Sequence, residues 1–426
     1  MLMRTDPSSV IDIVGIGFGP SNLGLAIAIE EHNSTAPQAD QLTAAFVESK
    51  HAFAWHPGML LPGTTMQISF LKDLVTQRNT TSEFSFLSYL ADRGRMAHFI
   101  NHQTFFPTRR EFHDYLGWAE QKVSADVRYG TRATAVAEAD GHLVVEAIGP
   151  NGPITLNARN VVVAGGLRES LPEGVTSSAR QFHNHRLLDH LDGLPSTRHR
   201  RFLVVGAGQS AAEVVEYLHD NYLDTEVHNV FAKYGYVPAD DSPYANRIFD
   251  AAAVDDFYSA DETQRASLLN YHRSTNYSCV DLDLIRELYR REYAEHVDGD
   301  RRLFMRGASK LVGSDETDDD VQVTIENLLT GEAETMAVDA VVYATGFTPT
   351  DLSGLLGDLV EPDQSNGGVD RDYRVVTTRP ISGAVYTQGG TEHTHGLTSS
   401  LLSNIAIRSG EILDSVLSAR AFSRTA

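Results

Sequence analysis

A glycine-rich turn near the start of the chain has the composition of a site for a nucleotide diphosphate. The apolar run Ile11–Val14 predicts a buried strand, and a helical pattern runs from about Asn22. Between them lie Gly15, Gly17, Gly19 and Pro20. In such a unit the first glycine permits the tight turn, and the second lets the backbone approach a pyrophosphate at the helix N-terminus. We therefore predict a dinucleotide site in which proline replaces the third glycine of the GxGxxG pattern.

An acidic residue at the end of the next predicted strand supports this reading. Glu48 follows the apolar run Ala44–Val47. An acid in that position hydrogen-bonds ribose hydroxyls in dinucleotide-binding folds. Taken alone, the segment is also compatible with an ordinary glycine turn in an α/β sheet.

A second copy of the pattern lies in the middle of the chain. The predicted strand Phe202–Val205 is followed by Gly206, Gly208, Gln209, Ser210 and Ala211. This GxGxxA spacing is typical of NADP sites. The next predicted strand, Glu226–Phe231, is followed by Lys233 rather than by an acid. A cation there favours the 2′-phosphate of NADPH, although Lys233 is equally compatible with a plain surface lysine.

The similarity between the two segments continues beyond the turns. Each is followed by a hairpin pattern that ends in small residues, at Ala164 and at Ala344. Aligning Gly15 with Gly206 then gives a long internal repeat. Two dinucleotide folds in one chain suggest a tightly held cofactor, FAD, and an electron donor, NADPH.

Composition and charge limit the classes of function. The 426 residues suggest two or three domains, and 42% hydrophobic with 22% charged residues is typical of a soluble globular protein. A net charge of −22 argues against nucleic acid or an anionic membrane as a partner. The single cysteine, Cys279, excludes an internal disulfide. No apolar run reaches the ~18 residues of a membrane helix. The first ten residues do not resemble a signal peptide, so we expect a cytoplasmic protein.

Histidine pairs offer the only spacing suggestive of a metal site. They are His183 with His185, and His393 with His395. Neither pair has an evident third ligand, so no metal is predicted.

Longer motifs around the two turns resemble one enzyme family. The runs are GIGFGPSNL, WHPGM, MQISFLKDLVT, FPTRREFHDYL, GAGQSAAE, DDSPYAN, HRSTNYS, ATGF and THGLTSSLLSN. They extend from Asp12 to about Leu413, nearly the whole chain. In these runs the sequence resembles the class B flavin monooxygenases that N-hydroxylate ornithine or lysine for siderophores.

The resemblance implies a reaction. NADPH would reduce FAD, oxygen would give a C4a-hydroperoxyflavin, and the side-chain amine of L-ornithine would become the hydroxylamine of N5-hydroxy-L-ornithine for hydroxamate siderophore biosynthesis. The runs TQRNTTSEF and STNYS resemble the ornithine enzymes more than the lysine enzymes. L-lysine N6-hydroxylation remains the alternative, because one methylene is worth only ~1–3 kcal/mol in a pocket. A diamine hydroxylase is less favoured.

The resemblance also implies substrate contacts. Lys72 matches the lysine that pairs with the substrate carboxylate, although its apolar surroundings also suit a lysine with its tip in solvent. The other matching positions are Asn246, Thr275, Asn276 and Ser403. The nucleophile must be a neutral amine, and neutral acceptors orient it without holding its proton. Turn and cap chemistry is the alternative role for these residue types.

Cofactor contacts complete the predicted site. The resemblance places Trp55, His56 and Gln67 against the flavin, with core packing as the alternative for Trp55. The predicted FAD set is Gly15, Gly17, Gly19, Pro20, Glu48, Trp55, His56 and Gln67. The predicted NADPH set is Gly206, Gly208, Gln209, Ser210 and Lys233.

We therefore predict an α/β fold with two Rossmann-like dinucleotide-binding domains, for FAD and NADPH, plus a small helical substrate-binding segment. The FAD domain is expected at 1–175 and 336–426, the NADPH domain at 195–240 and 296–335, and the helical segment at 241–295. Within that segment the run DLDLIRELYRREYAEH predicts the clearest helix, with Asp281 as its N-cap. The expected partners are the amino acid and molecular oxygen. The resemblance also implies a homo-oligomer, commonly a tetramer.

Three rival functions are less compatible with the sequence. A pyridine-nucleotide–disulfide reductase would need a redox cysteine pair. A Baeyer–Villiger-type oxygenase would share the glycine turns but not MQISFLKDLVT or THGLTSSLLSN. A nucleotide-sensing or scaffold protein is opposed by the intact glycines of both turns.

Overall fold

A computed structural model describes residues 10–194, 199–272, 275, 277–361 and 368–425. The strands are β1 (Ile11–Ile16), β2 (Ala44–Glu48), β3 (Asp126–Tyr129), β4 (Arg132–Ala139), β5 (His142–Gly149), β6 (Gly152–Val163), β7 (Leu167–Glu169), β8 (Gln181–His183), β9 (Arg201–Val205), β10 (Glu226–Val230), β11 (Leu303–Arg306), β12 (Ser309–Glu316), β13 (Val321–Asn327), β14 (Ala333–Val338), β15 (Ala340–Tyr343), β16 (Phe347–Pro349) and β17 (Ala384–Thr387).

The helices lie between groups of these strands and after the last of them. They are α1 (Pro20–Thr35), α2 (Phe86–Asp92), α3 (Met96–His102), α4 (Arg109–Lys122), α5 (Leu187–Asp192), α6 (Gln209–Asn221), α7 (Ala253–Ser259), α8 (Glu262–Tyr271), α9 (Leu282–Asp298), α10 (Ser353–Leu356), α11 (Glu392–His395) and α12 (Ile405–Thr425). Short 3-10 turns lie at Pro57–Met59, Asn184–Arg186, Ala245–Phe249, Gly357–Leu359, Leu397–Ser400 and Leu402–Asn404. In the part of the chain described, no helix is long and apolar enough to cross a membrane.

The first sheet carries the N-terminal glycine turn. Its order is β3-β2-β1-β6-β5-β4, and β17 also pairs with β6. Strand β1 runs parallel to β2 and β6, and its side chains are buried on both faces because Ile13 enters one apolar cluster and Val14 another. Burying such a side chain contributes about 1.5–3 kcal/mol. Since β17 comes from the C-terminal part, both ends of the chain build this sheet.

The second sheet carries the second glycine turn. Its order is β11-β10-β9-β15-β8, with parallel pairing throughout. A separate antiparallel sheet, β12-β13-β14, forms the predicted hairpin meander. Strands β7 and β16 form a separate antiparallel pair. Strand β7 lies in the connection from the first fold to the second, and β16 in the connection back to the first.

Strand pairing corrects two predicted boundaries. Strand β8 precedes residue 195 and β15 follows residue 336, yet both belong to the second sheet. The reason lies in the internal repeat. Strand β15, which ends beside Ala344, returns next to β9 as β6 returns next to β1.

The predicted helical segment divides between two surroundings. The turn at Ala245–Phe249 and helix α7 pack on the C-terminal loop, where Ile248, Phe257 and Leu397 form a small apolar cluster. Helix α9, in contrast, packs on the second fold through Leu288. Asp281 is the N-cap residue of α9, as predicted, but its side chain makes no capping hydrogen bond to the helix.

Candidate active site

The first glycine turn has its sharpest bend at Gly17. Gly17 has φ +84°, and a Cβ there would lie 2.3 Å from the carbonyl oxygen of Ala164. Gly15 instead lies inside β1, where the absent side chain makes room for the ring of Phe46. The prediction that Gly15 makes the tight turn is therefore wrong, and Gly17 is the equivalent of Gly206. Gly19 immediately precedes α1, whose first residue is Pro20, and it faces open space.

Asn22 occupies the place of the third glycine once the pattern starts at Gly17. Its side chain is fully buried, and Nδ2 donates to the carbonyl oxygen of Gly17 at 2.7 Å. The side-chain amide of Asn22 thus holds the turn by a hydrogen bond, at the position where the usual pattern has a glycine for close packing. Pro20, which we had read as the substitute for that glycine, is the first residue of the helix.

Glu48 lies at the end of β2, as predicted, and it contacts the same turn. Its carboxylate is buried, with Oε2 accepting from the backbone N–H of Phe18 at 2.7 Å and Oε1 from that of Lys50 at 2.8 Å. Each carboxylate oxygen can accept a further hydrogen bond. The arrangement suits an acceptor for ribose hydroxyls beside the turn.

The second glycine turn repeats the geometry of the first. Gly206 has φ +144°, and a Cβ there would lie 2.4 Å from the carbonyl oxygen of Ala344. Gly208 precedes α6, as Gly19 precedes α1. In both folds the turn therefore packs against the small residue that ends the returning strand. Both helix N-termini are left available to an anionic group.

A cavity of ≈ 580 Å³ opens beside the second turn. Gly206, Ala207, Lys233 and Lys310 are among its lining residues. The Lys233 ammonium donates to the carbonyl oxygen of Ser278 at 2.6 Å, which holds the half-buried side chain at the cavity wall. The predicted cation after β10 therefore lines the cavity beside the second turn. Ser210, on the first turn of α6, is half-buried.

Gln67 and Gln209 meet at Asp281. Gln209 Oε1 accepts from the backbone N–H of Asp281 at 2.8 Å and Gln209 Nε2 donates to the Asp281 carboxylate at 3.4 Å, while the Gln67 side chain lies near the same carboxylate. Burial raises the pKa of this carboxyl group. A residue predicted for FAD and one predicted for NADPH thus share a partner, which links the two predicted cofactor sites. Sequence reasoning gave Asp281 no such role.

The WHPGM loop holds a strained histidine. His56 has φ 46°, a left-handed conformation that non-glycine residues seldom adopt, and such strain collects at functional sites. Its ring lies 5.0 Å from that of His185, and burial together with His185 lowers the pKa of His56 to about 3. The half-buried Trp55 packs on the first apolar core, 6.0 Å from Phe112. The packing of the Trp55 ring on this core therefore matches the core-packing alternative.

Lys72 supplies a half-buried cation in the segment after Gln67. Its backbone N–H donates to the carbonyl oxygen of Ser69 at 2.8 Å. Within the residues described, its ammonium group forms no ion pair and no hydrogen bond. The charge is thus available to an external carboxylate.

The remaining predicted substrate residues come from segments that pack together. Asn246 is exposed, and its Nδ2 donates to the carbonyl oxygen of Asp241 at 2.7 Å. Thr275 Oγ1 donates to the carbonyl oxygen of His272 at 2.6 Å, the turn chemistry weighed as the alternative. Asn276 lies outside the described residues. Ser403 is buried, and its hydroxyl has no partner among the residues described.

Sequence reasoning missed two arginines, one half-buried and one buried. Arg109 pairs with Glu213 across the two folds, and Arg408 lies fully buried behind the first turn. The signal for Arg408 was present, since it interrupts the otherwise apolar and small run IAIRSG. Its partner Ser21 lies at the other end of the chain, and Gln388 and Ser399 are in preceding loops, so no local pattern identifies them.

The residues present fit two dinucleotide cofactors. Each fold provides a turn that a Cβ would close and a helix N-terminus beyond it. In the first fold the acid Glu48 ends β2, whereas in the second fold Lys233 follows β10. This is the difference expected between a free ribose and a 2′-phosphorylated one. Among the residues described, no group of three or more His, Cys, Asp or Glu could hold a metal ion.

Comparison with known proteins agrees with this arrangement. Residues 9–349 match the family model described as L-lysine 6-monooxygenase/L-ornithine 5-monooxygenase. The L-ornithine N(5)-monooxygenase of Pseudomonas aeruginosa is 33% identical, over 98% of this chain and 96% of that protein. That of Burkholderia cepacia is 35% identical, over 91% and 90%.

Solved structures show the same relationship. The ornithine N-hydroxylase of Kutzneria sp. 744, with reduced FAD, NADP+ and L-ornithine, is 47% identical with a TM-score of 0.92, covering 97% of this chain and all of that one. The L-lysine 6-monooxygenase of Pseudomonas syringae is 32% identical with a TM-score of 0.81, covering 95% and 99%. This chain therefore belongs to the L-lysine 6-monooxygenase/L-ornithine 5-monooxygenase family.

Proposed function

We propose that this protein is an FAD- and NADPH-dependent monooxygenase that hydroxylates the side-chain amine of L-ornithine, giving N5-hydroxy-L-ornithine for hydroxamate siderophore biosynthesis. The observation that carries the choice of an amino acid is Lys72. It is a half-buried cation without an ion-pair partner among the residues described, in the segment that follows Gln67. A diamine would give that charge nothing to bind.

The first turn would hold FAD and the second NADPH. Gly17, Gly19 and Pro20 would face the FAD diphosphate, and Glu48 its ribose. Gly206, Gly208 and Ser210 would face the NADPH diphosphate, with Lys233 at the 2′-phosphate. When bound, the reduced flavin supplies the activation of molecular oxygen.

The protein's own residues would orient the amine and keep it neutral. Asn246 Nδ2 already donates to Asp241, so its Oδ1 is the atom that would accept from the amine. The hydroxyls of Thr275 and Ser403 and the amide of Asn276 would complete a set of neutral partners. None of them stabilises an ammonium ion as a carboxylate would. The amine is therefore more easily deprotonated inside the pocket.

The helical segment would exclude water from this pocket. Arg371 joins Asp255 on α7 to Glu411 on α12, at 2.6 and 2.7 Å. The apolar cluster of Ile248, Phe257 and Leu397 also packs the helical segment against the C-terminal loop. Excluding water protects a reactive oxygen species from unproductive breakdown.

A substrate comparison tests the proposal. The holoprotein with NADPH is given L-ornithine, L-lysine or cadaverine, and hydroxylamine formation is measured. We expect the highest kcat/KM for L-ornithine, with L-lysine at least several-fold lower and cadaverine lowest. A preference for L-lysine would establish the alternative substrate. Equal use of cadaverine would contradict the assignment of Lys72.

We also propose that the protein acts in the cytoplasm as a homo-oligomer. Helix α9 presents an exposed stripe of Tyr289, Tyr293 and Val297, which supports association. Light scattering of the purified protein would test this, since a single monomeric species at micromolar concentration would contradict it.

A further inference from the structure

Arg408 is a buried positive charge whose hydrogen-bond partners are all neutral. The residue is only 1% exposed. Its Nε donates to Gln388 Oε1 at 3.2 Å, its Nη2 to Ser21 Oγ at 3.1 Å, and its Nη1 to the carbonyl oxygen of Ser399. Within the part of the chain described, no carboxylate lies within ion-pair distance of it. A buried charge without a direct ion pair is costly. Burial lowers the pKa of this guanidinium, and the more distant Glu411 carboxylate and Tyr373 hydroxyl oppose that shift.

Two half-buried arginines of this protein are paired with carboxylates. Arg109 forms a bidentate pair with Glu213, and Arg371 pairs with both Asp255 and Glu411. The buried Arg180, 4% exposed, instead donates to the backbone carbonyl oxygens of Asp339 and Asp318. Arg408 is the most deeply buried of these four, and it too has no carboxylate partner among the residues described. Its missing counter-charge therefore calls for an explanation.

The position of Arg408 shows where a counter-charge would lie. Ser21 is in the first turn of α1, directly after the glycine turn. Gln388 follows β17 and donates through Nε2 to Asn22 Oδ1 at 3.0 Å, while Asn22 donates to the carbonyl oxygen of Gly17. A continuous chain of buried polar groups therefore joins the guanidinium to the bend of the turn. The helix N-terminus in front of that bend is where a diphosphate binds.

The other side of Arg408 contacts the C-terminal loop. The carbonyl oxygen of Ser399 accepts from Nη1, four residues before Ser403. The buried hydroxyls of Ser399, Ser403 and Ser409 have no partners among the residues described. One guanidinium thus contacts both the nucleotide turn and the loop that carries a predicted substrate residue.

We propose that Arg408 is a positioning residue whose buried charge is balanced by the diphosphate of FAD, acting through Ser21 and Gln388. The inference rests on the proposed function, because it requires FAD at the first turn. In the absence of FAD the guanidinium has no direct ion-pair partner among the residues described, and in its presence the charge is stabilising. Arg408 thereby makes the order of the loop at Ser399 depend on the bound cofactor. A lysine would keep the charge but lose the fork that reaches three partners.

Paired apo and holo measurements test this. Wild-type, Arg408→Met and Arg408→Lys proteins are stripped of flavin, and their affinities for FAD and for riboflavin, which lacks the diphosphate, are measured. We expect Arg408→Met to weaken FAD binding about 10-fold or more and to change riboflavin binding little. Arg408→Lys should retain most of the FAD affinity. The thermal midpoint of Arg408→Met should equal or exceed that of wild type without FAD and fall below it with FAD.

A matched variant separates charge from packing. Arg371→Met removes a compensated arginine nearby, so it should destabilise the apo and holo proteins alike and leave FAD affinity unchanged. If Arg408→Met instead destabilises both forms equally with unaltered FAD affinity, Arg408 is merely structural and the proposal is overturned. If Arg408→Met does not fold, Ser21→Ala must lower FAD affinity several-fold or the proposal fails. If wild type does not bind FAD, the proposed function fails as well. If wild type binds FAD and the variants bind it equally well, only this inference is overturned.

Discussion

Arg109 and Glu213 form a bidentate ion pair between the two nucleotide folds, with Nη1–Oε2 at 2.7 Å and Nη2–Oε1 at 2.9 Å. Arg109 is the first residue of α4 beside the first sheet, and Glu213 lies in α6 directly after the second glycine turn. Glu213 is only 3% exposed. Because the two helices belong to different nucleotide folds, the ion pair fixes one nucleotide turn relative to the other.

Glu213→Gln should weaken this connection. Removing one member of a buried ion pair leaves the other charge unpaired, at a cost of about 3 kcal/mol in the free energy of unfolding. We expect flavin reduction by NADPH to slow while FAD content is kept, as measured by stopped-flow absorbance. Glu216→Gln is the control, because Glu216 lies one turn later on α6 and pairs with Arg291 on the second fold. Equal stability and equal reduction rates in the two variants would count against a connecting role.

Lys72→Ala should raise the KM for L-ornithine about 10–100-fold, the equivalent of one charge-assisted hydrogen bond. NADPH oxidation without substrate should change little, because Lys72 belongs to neither predicted nucleotide turn. A diamine should be used no worse by the variant than by wild type, since it has no carboxylate to lose. Lys122→Ala, on the exposed side of α4, is the control. Normal ornithine saturation in Lys72→Ala would refute the carboxylate role.

Lys233 and Lys310 line the same cavity, so we expect both to contribute to recognition of the 2′-phosphate. Lys233→Gln and Lys310→Gln should each raise the KM for NADPH about 10-fold and leave that for NADH nearly unchanged. Steady-state kinetics with NADPH and with NADH gives the ratio of the two KM values for each variant. A parallel rise in both KM values would indicate loss of structure rather than loss of a phosphate contact.

The elements around the site were largely predictable from local patterns. The runs Ile11–Val14 and Phe202–Val205 are strands because short apolar stretches before a glycine turn favour buried parallel strands. The choice between Gly15 and Gly17 was not predictable, because alternating glycines allow two registers. Only the approach of Ala164, far away in sequence, selects Gly17.

His395 should make folding sensitive to acid. It is fully buried, and burial chiefly lowers its pKa to about 4. The unfolded chain, with a histidine pKa of ~6.5, therefore binds a proton that the folded chain does not as pH falls from 6.5 to 4. Stability should drop through this window by up to about 1.4 kcal/mol per pH unit from this group.

Urea unfolding at pH 7, 6 and 5 tests the role of His395. His395→Gln should flatten the pH dependence by about one proton, whereas His98→Gln, at an exposed position on α3, should leave it as in wild type. An unchanged slope in His395→Gln would show that other groups cause the acid sensitivity.

Long-range polar contacts explain what the sequence could not reveal. Ser21 and Arg408 lie at opposite ends of the chain, and Arg109 is distant from Glu213. Their residue types are compatible with exposed positions, and only the packed fold brings the partners together. The same limit affected the domain boundary, since β15 joins the second sheet through backbone pairing that its apolar sequence does not specify.

The central claim is that the two nucleotide folds and Lys72 together form an ornithine N-hydroxylase. It is tested most directly by measuring N5-hydroxy-L-ornithine formed per NADPH oxidised by the FAD-loaded protein in air. We predict that the product accumulates in step with NADPH oxidation and requires both FAD and L-ornithine. NADPH oxidation that yields only hydrogen peroxide, with no hydroxylated product, would contradict the claim.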